Sequence, residues 1–321
     1  MSEQAQDIAV IGAGAWGSAL AVLNARAGRR VTLWARSAQA ATAMQTARQN
    51  PRLPGVALPM NLCVTSVLPC AEIYLLAVPT QYLRATLAGL ELHGAPLVLC
   101  CKGLEAGTLN LPPEIINGQP AAVLTGPNFA REIAMGLPAA AVLATPDSQL
   151  RARLIAGLKT DTLRLYGSAD MLGAALGAAA KNVIAIAAGA VIGAGLGENA
   201  RAALITRGLV EIARLARALG GRAETISGLS GLGDLLLTCT GPGSRNFSLG
   251  LALGQGQNLA DILTARSSVT EGVATAPALL ARAARAGVEM PIVQAVTKLL
   301  ANEMNIAETM SALMGRALKD E

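Results

Sequence analysis

Short, nearly continuous apolar runs recur through the first half of the chain: Asp7 to Ile11, Val31 to Ala35, Leu62 to Thr65, Ile73 to Val78, Leu97 to Cys101, Ala121 to Thr125, Ala139 to Ala144 and Thr162 to Tyr166. Strands covered on both faces read this way, whereas strands with one wet face alternate, so the runs predict a sheet sandwiched between helices. Their spacing, with helical or loop segments between, predicts a doubly wound, mostly parallel sheet of the α/β class. After Gly167 the strand signals stop. An Ala/Gly-rich segment extends to about Ala194, an arginine-bearing one runs from Asn199 to Leu219, and shorter periodic segments follow, with glycine clusters at Gly228 to Gly233 and Gly241 to Gly243 as punctuation. The expected organisation is a sheet domain over 1–168 and an all-α domain over 169–321.

Composition agrees with two packed cores. The chain has 321 residues, of which 52% are hydrophobic and only 15% charged. That exceeds one average core and excludes a disordered chain. Aromatics make up 2% and glycines number 34, while alanine fills about a fifth of the positions, so the core must rest on small side chains and close backbone approach. The net charge of +5 comes from 21 arginines and five lysines. They are scattered and lack interleaved aromatics, which argues against nucleic acid and suits an anionic small molecule. Five cysteines, an odd number with no metal-ligand spacing, imply a reducing cytoplasm and no metal site. The first residues carry two acids ahead of any apolar run, unlike a signal peptide. Met171 to Gly197 is long enough to cross a bilayer, but its Gly/Ala content and central Lys181 predict a buried helix and no membrane insertion.

The lone histidine, His93, lies in the loop-like Leu92-His93-Gly94-Ala95-Pro96. A serine–histidine triad, a histidine-rich zinc site and a histidine proton donor are therefore excluded as expectations. None of Tyr74, Tyr82 and Tyr166 has a lysine four residues later. The proton donor should be a lysine or a carboxylate.

Gly12-Ala13-Gly14-Ala15-Trp16-Gly17 follows the first apolar run and precedes a helical segment. In that setting Gly12 makes the tight turn, Gly14 lets a pyrophosphate approach backbone N–H groups, and Gly17 lets helix and strand pack closely, which predicts a Rossmann-type domain. The acid that would hold the ribose hydroxyls of NAD is missing, since no Asp or Glu occurs between Asp7 and Glu72. The second strand ends instead in Arg36, which can pair with the 2′-phosphate of NADP.

Three further groups carry candidate chemistry. Lys102, and Gly126-Pro127-Asn128-Phe129-Ala130, sit at the carboxyl ends of successive predicted strands, where such sheets bind ligands. Lys181 is a single charge on an apolar helix, where poor solvation would favour the neutral amine and make a workable acid or base. Asp234 follows a glycine-rich turn, and Gly243-Ser244-Arg245-Asn246 precedes a helix. A phosphate grip accounts for the latter; a turn with an N-cap accounts for Ser244 and Asn246 equally well.

The ordered blocks GAGAWG, CKGLE, GPNFA, LKNVIAI, GLGDLLLTC, GSRN and VTEGVATA, from residue 8 to about 276, closely resemble NAD(P)-dependent sn-glycerol-3-phosphate dehydrogenases of the bacterial type. The resemblance implies reduction of dihydroxyacetone phosphate to sn-glycerol 3-phosphate for phospholipid synthesis; Arg36 and the missing acid predict NADPH accepted at least as well as NADH, and a cytoplasmic homodimer is expected. It implies Lys181 as proton donor, with Lys102 as a second lysine at substrate and nicotinamide. Substrate contacts would come from Gly126, Asn128, Asp234, Ser244, Arg245 and Asn246. Cofactor contacts would come from Gly12, Gly14, Ala15, Trp16, Gly17, Arg36, Lys102, Ala130, Arg245, Val269 and Glu271. Ala15 and Asn128 depart from the family's usual Ser or Thr, so affinity rather than reaction should change. Two alternatives share the fold: another two-domain NADP-dependent keto- or hydroxy-acid reductase, and a non-catalytic NADP-sensing regulator.

Overall fold

A computed structural model describes residues 7–116, 118–266 and 270–314. The sheet begins with β1 (Asp7–Ile11), α1 (Ala15–Arg26), β2 (Arg30–Trp34), α2 (Ala38–Ala47) and β3 (Leu62–Thr65). It continues through β4 (Ile73–Leu76), α3 (Leu83–Ala88), β5 (Leu97–Leu99), α4 (Pro112–Ile115) and β6 (Ala121–Thr125). Its last part is α5 (Ala130–Met135), β7 (Ala139–Ala144), α6 (Ser148–Leu158) and β8 (Leu163–Ser168). The eight strands lie in the order β3-β2-β1-β4-β5-β6-β7-β8. Neighbours run parallel except β6 and β7, and the first six follow the doubly wound dinucleotide-binding order.

Burial explains the apolar runs. β4, β5 and β6 are buried along their whole length, whereas the edge strand β8 exposes Arg164, Tyr166 and Gly167. Strand ends depart from expectation by a few residues. β4 and β5 stop at Leu76 and Leu99 after final bonds from Ala77 N–H to the Ile11 carbonyl and from Cys100 N–H to the Leu76 carbonyl, both 2.9 Å. β8 continues to Ser168, beyond the expected Tyr166, because it stays in register with β7 through Ala144.

From Met171 on, the described residues form no strand. The helices are α7 (Met171–Gly193), α8 (Gly197–Ala218), α9 (Ala223–Ser227), α10 (Asp234–Cys239) and α11 (Arg245–Gly254). They continue with α12 (Leu259–Thr264), α13 (Glu271–Arg285), α14 (Pro291–Leu300) and α15 (Ile306–Met314). Two compact units result: residues up to Lys102 with Asn110–Ala175, and Gly103–Leu109 with residues from Leu176 on. α7 is long and apolar enough to cross a membrane, yet 94% of its most apolar stretch is buried within the protein.

Small residues permit backbone contact in the helical unit. A Cβ added to Gly250 of α11 would overlap the Ile186 carbonyl oxygen of α7, and one added to Gly189 of α7 would overlap that of Phe247 in α11. The helices cross where each presents glycine to the other's backbone. A buried carboxylate adds a further tie: Glu211 of α8 accepts the Ile292 N–H at 2.9 Å at the start of α14, where a helix N-terminus favours negative charge.

Several arginines are structural. Arg26, Arg29, Arg48 and Arg151 donate to the main-chain carbonyls of Ala134, Lys159, Leu62 and Thr145. Basicity here partly reflects backbone carbonyls that need donors. His93 is an exposed residue with φ 45° in its turn, 3.7 Å from Glu91.

Candidate functional site

In the sheet unit, the three glycines of the first turn divide the work as the sequence suggests. Gly12 has φ 116°, and a Cβ there would lie 2.9 Å from the Ala77 carbonyl group. A Cβ on Gly17 would overlap the Gly12 carbonyl oxygen, whereas one on Gly14 would meet nothing within 4 Å. Gly12 and Gly17 are thus required by packing, and Gly14 keeps a space clear at the N-terminus of α1. Ala15 and Trp16 begin that helix, whose first turn carries no acidic side chain. The buried indole Nε1 of Trp16 has no partner among the described residues, so a donor remains for a bound group. An anion at a helix N-terminus is favourable. These residues fit the pyrophosphate of a dinucleotide.

Beyond β2, the Arg36 guanidinium lies 5.7 Å from the ring centre of Tyr82. Cation–π contact restrains a side chain that would otherwise sweep through solvent. Lys102 follows β5 by three residues, and its carbonyl accepts the buried Thr80 hydroxyl at 2.9 Å. Past β6, Asn128 donates Nδ2 to the Ala140 carbonyl at 3.1 Å; its buried Oδ1 has no partner among the described residues. The amide is therefore fixed as an acceptor. Ala130 opens α5.

In the helical unit, Lys181 of α7 pairs with the Asp234 carboxylate and donates to the Thr238 hydroxyl at 2.9 Å. The lysine and aspartate side chains are 7% and 1% exposed. A single π-helical turn, Leu229–Gly233, delivers Asp234 as the first residue of α10. Thr238 lies one helical turn later and donates to the Asp234 carbonyl at 2.6 Å. Burial disfavours the ammonium, whereas a carboxylate in contact favours it. Burial pushes the neighbouring Cys239 thiol up to about 12, with Lys181 opposing the rise and Asp234 adding to it, so no thiolate competes for chemistry here.

In the Ser244-Arg245-Asn246 segment two side chains make local hydrogen bonds. Ser244 is the N-cap of α11 and accepts the Phe247 N–H at 3.2 Å. Asn246 donates to Asn182 Oδ1 at 2.9 Å and accepts the Gly272 N–H at 3.0 Å. It ties the residue after Lys181 to the start of α13, where Glu271 is the first helical residue. Arg266 donates to the Arg245 carbonyl at 2.8 Å, and burial together with the Arg245 charge lowers its pKa. Two guanidiniums thus gather at the start of α11. Val269 lies outside the described residues.

Thr238 and Asn182 were not singled out in the sequence. The only signal for Thr238 was its spacing of four from Asp234 on a short helix, and Asn182 had only its place beside Lys181.

A doubly wound sheet whose glycine turn and basic second-strand end fit a dinucleotide, followed in one chain by helices that bury a lysine–carboxylate pair, defines a nicotinamide-dependent oxidoreductase. Family models described as the N-terminus and C-terminus of NAD-dependent glycerol-3-phosphate dehydrogenase match residues 7–151 and 170–311. The chain belongs to the NAD-dependent glycerol-3-phosphate dehydrogenase family. It is 60% identical to glycerol-3-phosphate dehydrogenase [NAD(P)+] of Acidiphilium cryptum, over 98% of both chains. It is 52% identical to that of Gluconobacter oxydans, over 96% of this chain and 97% of the other. The crystal structure of glycerol-3-phosphate dehydrogenase from Coxiella burnetii is similar with a TM-score of 0.92 at 36% identity, covering 97% of this chain and 99% of the other.

Proposed function

We propose that the chain reduces dihydroxyacetone phosphate to sn-glycerol 3-phosphate with NAD(P)H, residues 1–168 binding the dinucleotide and 169–321 binding and protonating the substrate. Beyond family membership, one observation carries this reading: a buried ammonium held by Asp234 and Thr238. The bound dinucleotide supplies the hydride to the ketone carbon. Lys181 donates a proton to the carbonyl oxygen as charge develops there, and Asp234 keeps the lysine protonated until that moment. Lys102 stabilises the developing alkoxide. Arg245, at the α11 N-terminus, holds the phosphate, so binding at the unreactive end orients the carbonyl. Gly126 has φ 154° and no room for a side chain, since a Cβ there would lie 2.9 Å from the Ala141 Cα, and it offers its backbone to the substrate by resemblance. Asn128, with its Nδ2 tied and its Oδ1 open, accepts the substrate hydroxyl.

On the cofactor side, Gly12, Gly14, Ala15, Trp16 and Gly17 cradle the pyrophosphate, and Ala130, Val269 and Glu271 complete the contacts by resemblance. An odd number of cysteines without a secreted-framework spacing suits a reducing cytosol. Assembly as a homodimer belongs to the same proposal and is read by sedimentation. The deciding assay follows NADPH oxidation with dihydroxyacetone phosphate and with unphosphorylated dihydroxyacetone. Rapid turnover of the phosphorylated ketone alone is expected; turnover of 2-keto acids instead would overturn the assignment.

Arg36 sets the cofactor preference in this reading. With no acid between Asp7 and Glu72, kcat/KM for NADPH should at least equal that for NADH. Arg36→Asp should reverse the ratio, because a carboxylate holds the ribose hydroxyls and repels the 2′-phosphate. An unchanged ratio would show that Arg36 does not read the 2′ position.

A further inference from the structure

Asn50 follows α2 in a loop yet is only 3% exposed. Its Nδ2 donates to the Ala13 carbonyl at 3.1 Å and to the Ser18 hydroxyl at 2.6 Å. Its Oδ1 accepts the Arg52 N–H at 2.9 Å. The partners determine the orientation of the amide, since a carbonyl must face the NH2 and a backbone N–H must face the oxygen. The loop that carries Asn50 is itself anchored, with Arg48 donating to the Leu62 carbonyl at 2.8 Å.

The Ala13 carbonyl belongs to the same peptide plane as the Gly14 N–H. In a trans peptide the two point in opposite directions. A side chain that holds the carbonyl therefore aims the Gly14 N–H the other way, on a residue whose own side-chain position is clear, since a Cβ added there would meet nothing within 4 Å. Left alone, this plane would be free to turn, because glycine at position 14 permits many backbone conformations. Ser18 anchors the same amide one turn into α1, with its own N–H bonded to the Gly14 carbonyl at 2.9 Å.

We infer that Asn50 is a positioning residue for the dinucleotide: without touching it, Asn50 fixes the Ala13–Gly14 peptide so that the Gly14 N–H meets the pyrophosphate. The inference rests on the reading of the glycine turn as the pyrophosphate cradle. A strut that preorganises one donor acts on ground state and transition state alike, so it governs affinity rather than turnover. The adenosine end, where Arg36 lies, is not involved.

The test uses the full chain with Asn50→Leu, a neutral variant of similar size that removes both donors, and with Asn50→Ser as the alternative should the leucine variant not fold. Kd for NADPH and for NADH, measured by fluorescence titration, should each rise about tenfold on loss of this bond. The NADPH/NADH ratio, the kcat at saturating dinucleotide and the KM for dihydroxyacetone phosphate should each stay within about twofold. Unchanged Kd values overturn the inference. So does a fall in kcat with Kd preserved, or an altered NADPH/NADH ratio, since either would place the effect elsewhere. If the unaltered chain binds neither dinucleotide, the cradle reading itself fails, and that outcome is distinct from the others.

Discussion

Replacing Lys181 by methionine is expected to lower kcat by about 10²- to 10⁴-fold, the usual contribution of a positioned acid, while leaving the Kd for NADPH within a factor of about two. The amine is spent on the substrate carbonyl, and the dinucleotide cradle belongs to the other unit. The variant should also be less stable, because Asp234 would remain buried without its cation. Removing one partner of a buried pair costs about 3–5 kcal/mol, far more than the intact pair contributes. The two effects can be separated. Adding Asp234→Asn removes the stranded charge, so the double variant should regain most of the melting temperature and none of the activity. Recovery of both, or near-normal kcat in the single variant, would remove Lys181 from the chemistry.

A large effect on stability is also expected at Gly250. Alanine there would gain about 1 kcal/mol in helix propensity, and its Cβ would overlap the Ile186 carbonyl oxygen and lie 2.8 Å from the carbonyl carbon. Both atoms are main chain in the middle of a long helix, so neither can rotate away as a side chain would. Overpacking of that kind costs about 3 kcal/mol or more, and the propensity gain does not offset it. Gly241 in the same unit is the control, since a Cβ there meets nothing within 4 Å. Thermal unfolding of Gly250→Ala should begin about 6–12 °C lower, and that of Gly241→Ala should be unchanged. Equal behaviour of the two would show that α7 and α11 can separate without penalty.

The sheet was legible because strands covered on both faces must be apolar throughout, and β4, β5 and β6 are. Their ends were less so, because the last residues of β4 and β5 keep an apolar character after the ladder has stopped. Lys181 and Asp234 stood out as charges in apolar or glycine-rich surroundings. Thr238 did not, since a threonine four residues after an aspartate looks like any helical threonine until a lysine 57 residues away reaches it. Asn50 was invisible for the same reason, with partners 32 and 37 residues distant. Ser244 and Asn246 had two readings of equal merit, and the structure adds local partners to both: a cap for one and a tie between helices for the other.

The scarcity of aromatics gives the molecule an optical property. Its two tryptophans, Trp16 and Trp34, both lie in the sheet unit, one at the glycine turn and one at the end of β2. The helical unit emits no tryptophan fluorescence of its own. Emission therefore reports on the nucleotide half alone, whereas far-ultraviolet circular dichroism is dominated by the helices. The two signals, followed through one denaturant titration without any label, distinguish a chain whose halves melt together from one whose halves melt in turn.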